Sequence, residues 1–288
     1  MGNATPTTGL HAVEERGLLD RNGTGPASRR EVGALDLLDL QLINERYGRD
    51  SLPYPFMLTR PTRFEFVDEM AQYAAQLPDR LRSGDLSAFA RCLNALPHAD
   101  ITVTGHVQHV PADVPSVRVL AFRAGQAGYL LKQRADIDVV DVYTVSPFEL
   151  GVAIATAMSL KEPGRHPRIV IPEYVPLRAA VVDGDVVDED EDDVVVRHTA
   201  FTSPEVNVSV SQLSAYAKVQ SNWRPTREWG IDLGKELLVW MRVRDDGDYL
   251  GVPDRRCGIP LSVALLRERI DGMIVADVEM LCESRGES

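Results

Sequence analysis

The chain has 288 residues, 44% of them hydrophobic, with 31 Lys plus Arg against 43 Asp plus Glu and a formal net charge of −12. That apolar content is enough for a sizeable buried core in one large domain or two small ones, and the surplus negative charge repels phosphate backbones and anionic lipid alike. No nucleic-acid partner is therefore expected. Cys92, Cys257 and Cys282 are widely spaced with no CxxC pair, which fits reduced thiols better than a disulfide framework. The longest strongly apolar run, 150–158, falls far short of the roughly 20 residues that cross a bilayer, and the first residues lack a signal pattern. A cytoplasmic protein with no membrane insertion is the expectation.

Residues 1–31 are rich in Gly, Thr, Asn and charge and read as a disordered leader, with a single domain over 32–274 and a tail at 275–288. A short strand or turn near 32–35 leads to a helix over about 37–47, with Leu38, Leu42 and Ile43 on one face and Gly48 as its stop. Thr62 and Glu65 have capping-box spacing, and the helix they would open places Phe66, Val67, Met70, Tyr73, Ala74 and Leu77 on one face before Pro78 kinks or ends it. A further helix spans about 86–96, and the alternation Ile101, Val103, Gly105, Val107 predicts a half-buried strand. Pro111 opens the loop that follows.

Two stretches then read as the same unit. In the first, 117–120 runs to a turn at Ala124-Gly125-Gln126, 129–133 returns, 137–145 is a third β-branched run, and Ser146-Pro147-Phe148-Glu149 has the residues of a capped helix start. In the second, strands over 229–233, 236–243, 249–252 and 256–259 are separated by the turns Gly234-Lys235 and Asp245-Asp246-Gly247-Asp248, and a helix opens at Ser262 and runs to about 273. Between the two units lie a short strand over 168–171, a possible helix over 175–181, the acidic stretch 183–193 and a helix over 209–222 with Leu213, Tyr216 and Val219 at helical spacing.

Chemistry has little to stand on. His106 and His109 form an H-x-x-H that a strand would point apart, and Cys92 and His98 lie too loosely upstream to complete a zinc site. The run Asp188 to Asp193 lacks the glycine and spaced oxygens of a calcium loop. No Gly-x-Ser-x-Gly elbow exposes a nucleophile, and Gly23-Thr24-Gly25 has neither the preceding strand nor the Gly-Lys-Ser/Thr of a phosphate cradle. The expectation is a protein that is not an enzyme and has no catalytic, metal or cofactor residues. Trp240 reads as core, whereas Trp223 beside Arg224 has the composition of an exposed binding anchor.

The run Val117-Arg118-Val119-Leu120-Ala121-Phe122-Arg123-Ala124-Gly125-Gln126, continued by Ile137-Asp138-Val139-Val140-Asp141-Val142 and the Ser146 turn, resembles the EspG family, the cytosolic secretion-associated chaperones of actinobacterial ESX (type VII) systems. So do Val243-Arg244-Asp245-Asp246-Gly247-Asp248-Tyr249-Leu250 with Ile259-Pro260 and the closing helix, and the helix-to-Leu52-Pro53-Tyr54-Pro55 connection near the start. The resemblance covers about 32–273 and rests on the order of diffuse motifs. It implies an α+β fold with a twisted, largely antiparallel central sheet flanked by two helical groups in pseudo-twofold halves. It implies binding of a PE/PPE heterodimer or similar helical secretion substrate, by a monomer or homodimer, to keep that substrate soluble for export. In the family the partner is held by the loop joining the second and third strands together with the sheet and the C-terminal helical group. By that resemblance His109, Val110, Asp113 and Val114 in the loop, and Gln212, Tyr216, Trp223 and Arg224 further on, are the candidate partner-binding residues. The alternative is a small-molecule enzyme with a cleft between the two halves, which convergent carboxylates or histidines of perturbed pKa would mark.

Overall fold

The computed structural model describes residues 29–49, 52–135, 137–171, 206–223, 230–252 and 257–286. In chain order its elements are β1 (Arg30–Asp36), α1 (Leu37–Arg46), α2 (Val67–Ser83), α3 (Ala90–Ala95), β2 (Ile101–His109), β3 (Val117–Ala124), β4 (Ala127–Gln133), β5 (Val139–Val145), α4 (Leu150–Ala157), β6 (Ile169–Val170), β7 (Val206–Asn207), β8 (Leu213–Asn222), β9 (Leu238–Val243), β10 (Asp248–Val252), β11 (Cys257–Pro260) and α5 (Val263–Arg285). The described strands form one open sheet in the order β1-β5-β4-β3-β2-β8-β9-β10-β11-β6-β7. The protein is thus α+β, and its sheet is mixed but mostly antiparallel, with β6 and β7 as its parallel pair among the described strands.

Two four-stranded meanders, β2 to β5 and β8 to β11, meet at the middle of the sheet. Their first strands pair antiparallel from Thr102 opposite Asn222 to His109 opposite Ala215. Each meander is followed by a helix, α4 after the first and α5 after the second, and the two helices pack together on one face of the sheet. Leu150, Ile154 and Met158 from the α4 region and Leu266, Ile270 and Met273 of α5 bury there against Val103, Val119, Ala217, Val219 and Trp240. On the opposite face, α1 to α3 cover the half made by β1, β5, β4 and β3, around Leu35, Leu40, Leu77, Leu93, Leu120 and Phe122. A smaller cluster on the other half of that face joins Ile169, Val208, Met241 and Tyr249.

Local rules account for much of this. Gly125 sits at φ +59° in the two-residue β3–β4 turn, a left-handed conformation that glycine adopts without steric cost. The Asp36 carboxylate accepts from Leu38 N at 2.8 Å to cap α1, and Gly48 follows the end of that helix at φ +71°. Ser262 Oγ accepts from Leu265 N at 3.1 Å to cap α5, as the spacing predicts.

Elsewhere tertiary contacts override the local signal. The predicted helix over 209–222 is the strand β8, preceded by the 3-10 turn Val210–Gln212. Leu213 and Val219 lie six residues apart, a spacing that satisfies both a three-residue and a two-residue repeat. The buried set Ala215, Ala217, Val219 and Ser221 has period two, because β2 and β9 hydrogen-bond both edges of the segment, while a register shift between Leu213 and Ala215 turns Leu213 into the Ile169 cluster on the other face. Ser146-Pro147-Phe148-Glu149 forms a turn, closed by Glu149 N donating to Ser146 O at 3.1 Å, and α4 opens only at Leu150. Pro147 lies so close over Gly128 that a Cβ there would stand 2.8 Å from Pro147 N and 2.7 Å from Val145 O.

Thr62 Oγ1 accepts from Phe64 N, while Glu69 is the carboxylate that accepts from Glu65 N and Phe66 N, so α2 starts at Val67 and not after a Thr62–Glu65 box. Phe66 and Val67 are exposed, whereas Met70, Tyr73, Ala74 and Leu77 face the core as expected, and Pro78 lies within α2 without ending it. Two domain limits shift. Strand β1 begins at Arg30, inside the stretch read as leader, and α5 continues to Arg285 through the stretch read as tail. Its buried positions Leu266, Ile270, Met273, Asp277 and Leu281 keep helical spacing, with Asp277 bonded to the Lys235 ammonium. The segment 230–233 is not a strand. Residue 229, the predicted helix over 175–181 and the acidic stretch 183–193 lie outside the described residues.

Candidate partner-binding surface

The loop between the second and third strands, 110–116, stands at one end of the sheet. Val110 N donates to Ser214 O at 2.9 Å, which ties the loop to the entry of β8, and Val114 N donates to Pro111 O at 3.2 Å. His109 Nδ1 donates to Pro115 O at 2.9 Å, so this imidazole closes the loop from within. Asp113 is exposed, and Val110 and Val114 are 51% and 41% exposed, which puts two branched apolar side chains on the surface of one short loop. Val210, 40% exposed, stands on the 3-10 turn that precedes β8 at this same end.

The other candidates divide. Gln212 holds that 3-10 turn together: its Oε1 accepts from Ser209 N at 2.8 Å, and its carbonyl accepts from Arg244 N at 2.9 Å. Tyr216 is half-buried and lies across from Gln108 on the open face of the sheet. The structure therefore gathers His109, Val110, Asp113, Val114, Gln212 and Tyr216 toward one end. Trp223 does not join them. It follows β8 at the far end, about 23 Å of extended chain from Tyr216, and it packs half-buried against the α4–α5 cluster instead of projecting as an exposed anchor. Arg224 lies outside the described residues.

Sequence reasoning missed a second feature. Between the two apolar clusters on the face away from α4 and α5 runs a polar strip along β2 and β8. On β2 it consists of Thr102, Thr104, His106 and Gln108, and on β8 of Tyr216, Lys218, Gln220 and Asn222. His106 stands directly opposite Arg118 on β3 and directly opposite Lys218 on β8, so three basic residues form one row across three strands. Tyr54 Oη lies 3.4 Å from His106 Nδ1 with its ring edge-on to the imidazole, and His106 Nε2 is buried with no hydrogen-bond partner.

Burial first, and then Arg118 and Lys218, push the His106 pKa down from its ordinary 6.5 to about 4, so the ring is neutral near pH 7. Burial also lowers the Arg118 pKa and raises that of Tyr54. The signal for this row was the shared polarity of even-numbered positions on 102–108 and 216–222, legible only once 213–222 is known to be a strand.

Neither histidine of the H-x-x-H meets the other: His106 lies in the strip and His109 in the loop. Cys92 is buried, which pushes its thiol pKa up and leaves it protonated. A groove of about 590 Å³ between α1 and α2, lined by Ile43, Tyr47, Pro78, Leu81 and Asn94 among others, contains Arg46 and Arg82 but no histidine or carboxylate. No family model matches the chain, and no curated protein matches it.

Proposed function

We propose that this protein is a non-enzymatic secretion chaperone of the EspG kind, which binds a PE/PPE-type helical pair in the cytosol of an actinobacterium and keeps it soluble for an ESX system. The observation that carries the reading is the repeated unit of four antiparallel strands and a helix, with the two copies joined at β2 and β8. That arrangement fits the pseudo-twofold halves the resemblance implies. The junction is a continuous hydrogen-bonded ladder, which favours a broad contact surface over a cleft between the halves. Exposed Val110 and Val114 lie on the loop between the second and third strands, where the resemblance puts the partner, and apolar side chains of that kind suit an apolar bundle tip.

Co-expression with the PE/PPE pair from its own locus should yield a complex that survives size-exclusion chromatography. Val110→Asp with Val114→Asp should weaken that complex at least tenfold while leaving the thermal midpoint within a few degrees, because both side chains are exposed. Absence of any complex with the unsubstituted chain would reject the reading.

A further inference from the structure

We propose that the row Arg118, His106, Lys218 is the seat of an acidic helix face on the partner, two carboxylates one turn apart, an inference that deepens the chaperone reading and rests on it for the partner being helical. Arg118 and Lys218 flank the neutral His106 in register, one on the strand to either side, so two cations share one row at the centre of this face. Several other sheltered cations are paired with carboxylates, while the half-buried Lys132 ammonium donates to the Ala157 carbonyl. Arg242 bonds Asp248 at 2.7 Å and 3.0 Å, Arg123 bonds Asp100 at 2.9 Å, Arg80 bonds Asp39 at 3.0 Å, and Lys235 bonds Asp277. Arg118 is sheltered as they are, yet neither it nor Lys218 forms an ion pair with any described residue.

The spacing fits this occupant. Neighbouring strands lie about 4.8 Å apart, so the two gaps of the row, between Arg118 and His106 and between His106 and Lys218, are separated by one strand spacing. Side chains at i and i+4 of a helix stand about 5–6 Å apart. A helix lying across the strands would therefore place one carboxylate in each gap. Exposed Gln108 with half-buried Tyr216 flanks the row on the side of the 110–116 loop. Apolar contact at the loop and charge pairing on the strip would then act on the same partner, the first supplying affinity and the second orientation.

The test uses the full chain and a fluorescein-labelled, alanine-based helical peptide with two glutamates at i and i+4, followed by anisotropy. The glutamate peptide should bind, added salt should weaken it, and the same peptide with both glutamates replaced by glutamine should bind at least tenfold less tightly. Lys218→Gln, an exposed position that leaves the fold intact, and Arg118→Gln should each lower affinity about tenfold, whereas Arg82→Gln on α2 should leave it unchanged. Equal binding of the two peptides, no binding by the unsubstituted chain, an equal loss in Arg82→Gln, or displacement by equimolar inorganic phosphate would each overturn the proposal. The chaperone reading fails separately: a PE/PPE complex that forms and is indifferent to Arg118→Gln and Lys218→Gln rejects the row alone. Peptide binding through the row without any PE/PPE complex rejects the chaperone.

Discussion

His106 shows how a single side chain takes its properties from neighbours that are distant in sequence. A histidine on an alternating strand reads as an ordinary strand-end residue, yet Arg118 and Lys218 flank it in register, Tyr54 closes over its ring, and it is largely removed from water. The folded chain therefore holds it neutral well below the pH at which the unfolded chain would protonate it. A group whose folded pKa lies below its unfolded value binds fewer protons in the native state. Stability falls as pH drops from about 6.5 toward about 4 and the loss levels off below that. His106→Gln should flatten that part of the acid limb in a plot of thermal midpoint against pH. An identical slope in both proteins between those values would show that the imidazole carries no such penalty. The companion residues were legible only in part: Val110 and Val114 stand out in a short Pro-bounded loop, but Gln212 gives no sign in sequence that its amide is committed to Ser209.

At the scale of elements, what the sequence shows best is what depends on neighbours along the chain. Ser262 caps α5, Gly48 follows the end of α1, and Gly125 turns β3 into β4, because each acts on backbone groups within a few residues. The failures have the opposite origin. Ser146 has a hydroxyl, a proline and a glutamate in helix-start order, yet Pro147 rests on Gly128 and the chain turns once before α4 begins. Gly128→Val would force a side chain against the backbone of Val145 and Pro147, which must move. A loss of about 1–3 kcal/mol, of the size that overpacking brings, is expected in urea titration. Gly125→Ala, with open space around its Cβ, should lose less, and only through its left-handed φ. The strand β8 was hidden because its alanines are good helix formers and its apolar positions fit two periods at once.

For the whole molecule, the join between β2 and β8 makes the two meanders one sheet, and the apolar clusters lie on both of its faces. Leu93→Ala in the cluster under α1 to α3 and Ile154→Ala in the cluster under α4 and α5 each remove a fully buried side chain, at about 2–5 kcal/mol. Both should lower a single shared unfolding transition, whereas separate transitions, each answering to one substitution, would mean that the halves fold independently. Charge at this scale is also unevenly placed, since a chain of net −12 keeps Arg118 and Lys218 at the centre of one sheet face without an ion pair among the described residues. From the sequence alone came the α+β class, three strands of each meander with the helix that follows, the turns at Gly125 and Asp245–Asp248, and the start of the last helix at Ser262, because alternation, glycine and a capping hydroxyl act locally. Only the tertiary structure decided that 213–222 is a central strand, that α5 extends through Asp277, that Trp223 packs inward, and that Arg118, His106 and Lys218 line up. Each of these depends on which strand or helix lies alongside, and strand pairing joins residues as far apart in the chain as Thr102 and Asn222.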